Sequence, residues 1–250
     1  MSSLTLEAAK VRRRRVLLFG LVVTAAGVAW SIAGAASALG AGQTANAAML
    51  IDGYLRIMTL VMPLLAAVVT VRVAGAEIEG GMLDQLDAVG VSRLRLAASK
   101  LALISGVIVL CLAAGLGAIL GWGATAGIPV DAGLSLQAFA AASLPAIELA
   151  AVLLAVAMRT RGQVAVIGIG LGLAVLAQLL ALIPAPLQLA LPSTQLLAAN
   201  PTRWVQDGEG RIAGYEADPS AAMYLPIIAG IAAIVIAISL WATRRKEDAS

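Results

Sequence analysis

The sequence predicts an all-α integral membrane protein of six spanning helices, and three observations predict it. Hydrophobic residues make up 61% of the 250 and charged ones only 12%, with a mean hydropathy of +0.96. Soluble domains run near 45–50% apolar and about 25% charged, so too few polar residues are present to coat a water-soluble fold. Six stretches are long and apolar enough for a bilayer core of about 30 Å, which takes roughly 20 helical residues. Lysine and arginine, finally, fall into alternate connections between those stretches, as they do in multi-pass proteins.

The first span, residues 16–39, follows Arg12, Arg13, Arg14 and Arg15. The second, 54–73, carries Pro63; the third is 101–122; the fourth, 136–158, contains Pro145. The fifth, 164–183, closes on Pro184-Ala185-Pro186, and the sixth is 224–243. Residues 1–250 thus read as a single six-span transmembrane domain. With a cytoplasmic N-terminus, the inside segments hold Lys10, Arg12 to Arg15, Arg72, Arg93, Arg95, Lys100, Arg159, Arg161, Arg244, Arg245 and Lys246. Only Arg56, Arg203 and Arg211 are left outside, beside Asp52, Asp131, Asp207, Glu209, Glu216 and Asp218. Both termini are therefore expected in the cytoplasm. Ala45-Asn46-Ala47 resembles a signal-peptide cleavage site, but the preceding apolar run exceeds the roughly 7–15 residues of a signal core.

Composition also closes off chemistry. There is no histidine, and the lone Cys111 lies in an apolar run, so imidazole bases, thiolate clusters and internal disulfides are excluded. No G-x-x-x-x-G-K-[ST] occurs. The pI near 9.4 reflects charge at the membrane surface, with no nucleic acid implied.

Two connections stand out. On the outside, residues 184–223 begin with Leu187-Gln188-Leu189-Ala190-Leu191-Pro192, too apolar for a solvent loop and expected as a re-entrant or interfacial helix. The rest, with Asp207, Gly208, Glu209, Gly210, Asp218 and Pro219, reads as solvated turn. On the inside, Met82, Leu86 and Val89 recur at helical spacing while Asp84, Gln85 and Asp87 turn elsewhere, which predicts a short amphipathic helix. Gly80-Gly81 permits a bend before it, and Gly90 supplies a left-handed stop. Ser92 occupies an N-cap position ahead of Arg93, and Arg95 and Lys100 are expected to anchor the third span at the headgroups.

The pattern Glu77-x-Glu79-x-Gly81, Leu83, Leu86, Val89-x-x-Ser92-Arg93, then Lys100, resembles the cytoplasmic signature of type-2 ABC exporter permeases. The opening Glu7-Ala8-Ala9-Lys10-Val11-Arg12-Arg13 is similar to that of the lantibiotic-immunity and bacitracin-resistance permeases of that class. The resemblance implies a six-helix subunit of the bacterial plasma membrane that exports an amphipathic substrate: an antimicrobial peptide, an antibiotic or a lipid. It implies no cofactor in this chain, with ATP and Mg held by two copies of a separate ABC ATPase. A second permease, identical or homologous, and membrane lipid complete the partners. Glu77, Glu79, Gly81, Met82, Asp84, Leu86, Asp87, Val89, Ser92 and Arg93 would then form the ATPase-coupling surface. A departure from the resemblance is the brevity of the segment before the first span, where many relatives carry a longer interfacial connecting helix.

Within the spans, Glu148 is the single mid-span acid. It reads either as a residue of the translocation path or a proton carrier, or as hydrogen-bonding glue between helices. Gln178 is read the same two ways. A proton-coupled secondary transporter using Glu148 is the alternative function. Gly168-x-x-x-Gly172 and Gly117-x-x-x-Gly121 are expected at close helix contacts. Trp30, Trp122 and Trp241 read as aromatic-belt residues. Trp204 and Tyr215, in the outer loop, either touch substrate or pack the loop.

Overall fold

The computed structural model describes residues 15–42, 45–79, 92–181, 183–206, 208 and 212–244. Six helices in it are long and apolar enough to cross a membrane. They are α1 (Val16–Gly40), α2 (Ala47–Glu79), α3 (Arg93–Thr125), α4 (Ala132–Thr160), α5 (Gln163–Leu180) and α8 (Tyr224–Arg244). Between α5 and α8 come α6 (Ala185–Gln188), α7 (Pro192–Ala198), strands β1 (Thr202–Gln206) and β2 (Ile212–Ala217), and a 3-10 turn, Pro219–Met223. The helices run alternately up and down. One end of the bundle carries the hairpin; the other carries Arg72, Arg95, Arg159 and Arg161 and is here the basic end.

Several helices overrun the bilayer. At 33 residues each, α2 and α3 are about 50 Å long against roughly 30 Å of hydrocarbon. Their ends follow local chemistry. Asp131 caps α4, its carboxylate accepting from the Leu134 amide at 2.9 Å, and Asn46 Oδ1 accepts from the Met49 amide at the start of α2. Ser92 holds the N-cap position of α3 in a non-helical conformation, without a side-chain capping bond.

Helix α2 is the hub, packed against α1, α3, α4 and α5, while α4 also meets α3 and α8. Two thirds of the apolar windows of α2 and α4 are buried, compared with 22% for α5 and 17% for α8. Helices α2 and α4 are therefore the core, and α5 and α8 turn most of their apolar side chains outward. Lipid is as apolar as leucine, so van der Waals fit rather than the hydrophobic effect selects these contacts. Tyr54, wholly buried, adds a polar tie by donating to the Leu112 carbonyl at 3.0 Å.

Three expectations are corrected. The later part of the outer connection is not plain solvated turn, since β1 and β2 form an antiparallel hairpin with Trp204 opposite Tyr215 and Thr202 opposite Ala217. Strands of five and six residues lack a periodicity long enough to register. The apolar stretch before it is helical as expected, in two short helices, with α7 lying on α4, α2 and α5. Lys100 is not a headgroup anchor: it is 2% exposed and its ammonium points at the Val73 carbonyl of α2, 3.5 Å away. And the four glycines expected at helix contacts, Gly117, Gly121, Gly168 and Gly172, have no neighbour within 4 Å of where a side chain would begin.

The buried Gln188, Thr194 and Gln195 have a backbone reason. Helix α5 stops after 18 residues and α6 is a single turn, so their last carbonyls need donors away from water. Gln188 Nε2 bonds the Ala181 and Ile183 carbonyls at 3.3 and 2.9 Å. Thr194 Oγ1 donates to Gln188 O at 2.6 Å, and Gln195 Nε2 to Leu189 O at 3.2 Å.

Candidate functional site

The sequence-derived coupling residues divide. Gly81, Met82, Asp84, Leu86, Asp87 and Val89 lie outside the described residues, as does the amphipathic helix expected there. Glu77 and Glu79 fall in the last turn of α2, Ser92 is exposed before α3, and Arg93 opens that helix, half-buried. The two longest helices among the described residues thus flank residues 80–91, one entering and one leaving.

Glu148 is 2% exposed and faces the Gln195 side chain of α7. It stands about 24 Å along α4 from Ala132 and about 18 Å from Thr160. Its Oε2 and Gln195 Oε1 are buried without a hydrogen-bond partner among the described residues. The outer loop therefore reaches the mid-span acid. Gln178 sits elsewhere: its Nε2 donates to Thr59 Oγ1 of α2 at 2.8 Å, and Thr59 donates to the Arg56 carbonyl at 2.7 Å. That amide ties the end of α5 to α2, two residues before α5 stops.

A second polar group, which the sequence reading did not assemble, joins α2 to the hairpin. Asp52 is 2% exposed. Its Oδ2 takes Arg56 Nε at 2.6 Å, and its Oδ1 takes Asn200 Nδ2 at 2.8 Å and Thr202 Oγ1 at 3.4 Å. The Arg56 guanidinium lies 4.3 Å from the ring centre of Trp204. Strand alternation puts Thr202 and Trp204 on the α2 side and turns Arg203 outward to Glu216, an exposed pair at 3.5 Å that contributes little. Asn46 Nδ2 fastens β2 by donating to the Tyr215 carbonyl at 2.7 Å. Asp52-x-x-x-Arg56 at helical spacing was the one local signal for this group; Asn200, 148 residues on, gave none. Among the described residues no three acidic or thiol side chains gather into a metal-ligand set.

Burial pushes the Tyr215 hydroxyl above its ordinary value, the Asp52 carboxylate adds to the rise, and Arg56 opposes it. The folded hairpin therefore holds this proton more tightly than the unfolded chain does. Its contribution is complete below the ordinary tyrosine value near 10 and is lost as pH rises above it. Protease cleavage of the hairpin in detergent is expected to be slow and flat from pH 7 to about 9 and to quicken beyond about 10; a flat profile throughout would show Tyr215 to be uncoupled from hairpin stability.

Six antiparallel apolar helices with a polar junction at one end and basic residues at the other define a multi-pass membrane protein. A family model described as ABC-2 family transporter protein matches residues 3–178, and the chain belongs to that family of membrane transport components. No curated protein and no solved structure matches it.

Proposed function

We propose that this chain is the permease subunit of an ATP-driven exporter in the bacterial plasma membrane. It moves an amphipathic substrate (antimicrobial peptide, antibiotic or lipid) outward, powered by two copies of a separately encoded ABC ATPase that hold the ATP and Mg. A second permease, identical or homologous, completes the path. The basic end faces the cytoplasm, in keeping with the charge bias. The observation that carries this reading is the family match over residues 3–178, which takes in the acidic and amphipathic stretch of residues 77–93.

The helix lengths support it physically. Two helices of about 50 Å flank residues 80–91, so a partner that displaces this stretch levers on α2, the hub of the bundle. Met82, Leu86 and Val89 would bury the apolar side of the contact, with Asp84, Asp87 and Arg93 at its rim. Co-purification of the tagged chain with its neighbouring gene products tests this. A stoichiometric ATPase is expected to elute with it, and Leu86→Asp, which puts an unpaired charge into the contact, is expected to weaken that association at least about tenfold.

The buried Glu148 with its unpartnered oxygen favours a second reading, a proton-coupled secondary transporter. Glu148→Gln separates the two: the exporter retains transport, whereas the proton carrier loses it. A chain that purifies alone and moves substrate in proteoliposomes on a proton gradient would replace the first reading with the second.

A further inference from the structure

Helix α7 packs on both core helices, and a buried acid of each reaches it or the residues just beyond. Asp52 of α2 takes the Asn200 amide, two residues past α7; Glu148 of α4 faces Gln195 within it. Both acids are 2% exposed, yet their surroundings differ in kind. Asp52 is filled by donors, Arg56 on one oxygen and Asn200 and Thr202 on the other. That is the company an ionised carboxylate requires. Glu148 has a single donor among the described residues, the Gln195 amide, and no ion pair.

The orientation of the Gln195 amide is fixed. Its Nε2 donates one hydrogen to the Leu189 carbonyl at 3.2 Å, and turning the amide over would set two oxygens against each other. The second hydrogen serves the Glu148 carboxyl. Two acceptor atoms are left over, Glu148 Oε2 and Gln195 Oε1, both buried and neither with a donor among the described residues. An ionised carboxylate only accepts, so it leaves both bare. A carboxylic acid brings one hydrogen that satisfies both at once.

Charge on the neighbouring elements does not stand in for that hydrogen. Helices α5 and α7 carry no ionisable residue. On α2, Asp52 pairs with Arg56, Arg72 stacks on Phe19, and the Tyr54 hydroxyl donates to the Leu112 carbonyl of α3. Cys111 of α3 faces Gly20 of α1. The other ionisable residues of α2, α3 and α8 lie near helix ends, whereas Glu148 is about 18 Å from the nearer end of α4.

We propose that Glu148 and Gln195 form a neutral acid–amide pair that latches α7 to the middle of α4. The Oε2 hydroxyl of Glu148 donates to Gln195 Oε1, while Gln195 Nε2 donates to the other carboxyl oxygen. Loss of that proton to water leaves an acceptor facing an acceptor, and α7 is released from α4. Release reaches beyond one contact. Gln195 and Thr194 also hold the Leu189 and Gln188 carbonyls, and Gln188 in turn holds that of Ile183, just past α5. The latch is a property of the fold and stands whichever energy source drives transport.

Infrared difference spectroscopy of the purified full chain reads the proton directly. At neutral pH, wild type minus Glu148→Gln is expected to show the C=O stretch of a protonated carboxyl. Gln195→Leu should move that band to higher frequency as its hydrogen bonds are lost. Carboxylate bands in its place, as a water or cation held between the two side chains would give, overturn the proposal; so does a band indifferent to Gln195→Leu. Hydrogen exchange at the amides of residues 189–199 reads the latch. Glu148→Gln keeps a donor at position 148 and should match the wild type at neutral pH, whereas Glu148→Leu, without one, should exchange about tenfold faster. Raising the pH should speed the wild type relative to Glu148→Gln, a ratio that cancels the intrinsic pH dependence of exchange. Equal rates in Glu148→Leu and wild type would show that the pair fastens nothing, and a ratio constant to the alkaline limit of folding would show that no proton controls it. Neither measurement involves substrate or nucleotide, so failure here is distinguishable from failure of the transport reading.

Discussion

Asp52→Ala is expected to destabilise the outer end of the molecule by about 3 kcal/mol while leaving the spanning helices formed. Removing one partner of a buried ion pair costs about 3–5 kcal/mol, and the lower end applies because the Arg56 side chain, 38% exposed, can recover some solvation. The Asn200 amide has no such recourse: its Nδ2 bonds Asp52 in a site 7% exposed. Thr202 is less affected, because its Oγ1 also bonds Asn200 Oδ1 at 2.8 Å. Asp52→Asn keeps one acceptor for these groups and should cost about half as much. The measurement is protease cleavage between residues 200 and 217 beside far-ultraviolet dichroism. Rapid cleavage with unchanged helix content is the expected outcome, and a hairpin as resistant as the wild type would show that the Asp52 cluster does not hold it down.

The spanning helices were legible in the sequence because a bilayer demands long uninterrupted apolar runs, and composition alone reveals those. Their true ends were less so. Helix α2 begins at Ala47, seven residues before the apolar stretch read as its span, because Asn46 caps it and Asp52 and Arg56 are satisfied by partners far along the chain. The resemblance over residues 77–100 led to the same family as the match over residues 3–178, since helical spacing and charge are local properties. The Asp52 cluster was invisible for the opposite reason: an aspartate at a span edge is ordinary until Asn200 and Thr202 fold onto it. Lys100 misled in the same way. A lysine at the end of an apolar run normally reaches for headgroups, and only the approach of α2 offers it the Val73 carbonyl instead.

Gly170→Leu is expected to prise α5 from α2 and cost about 3 kcal/mol or more, the upper end of what overpacking does. A first carbon at position 170 would stand 2.5 Å from Ala67 Cβ and 3.0 Å from the Pro63 carbonyl oxygen. Neither can yield: one is a Cβ fixed to its backbone, and the other is backbone held by a proline ring in mid-helix. Even Gly170→Ala should destabilise, because the clash outweighs the roughly 1 kcal/mol that alanine gains over glycine in a helix. Gly168→Ala and Gly172→Ala, two residues to either side, meet nothing within 4 Å and should keep that gain. The sequence shows three glycines alternating along one helix without showing which one faces α2, because successive steps of two residues rotate the side chain through about 200°. Thermal unfolding in detergent of these three alanine variants tests the assignment, since backbone entropy and composition change identically in each. Opposite signs at Gly170 and its neighbours are expected; equal shifts at all three would place the α2–α5 contact on a different face of α5.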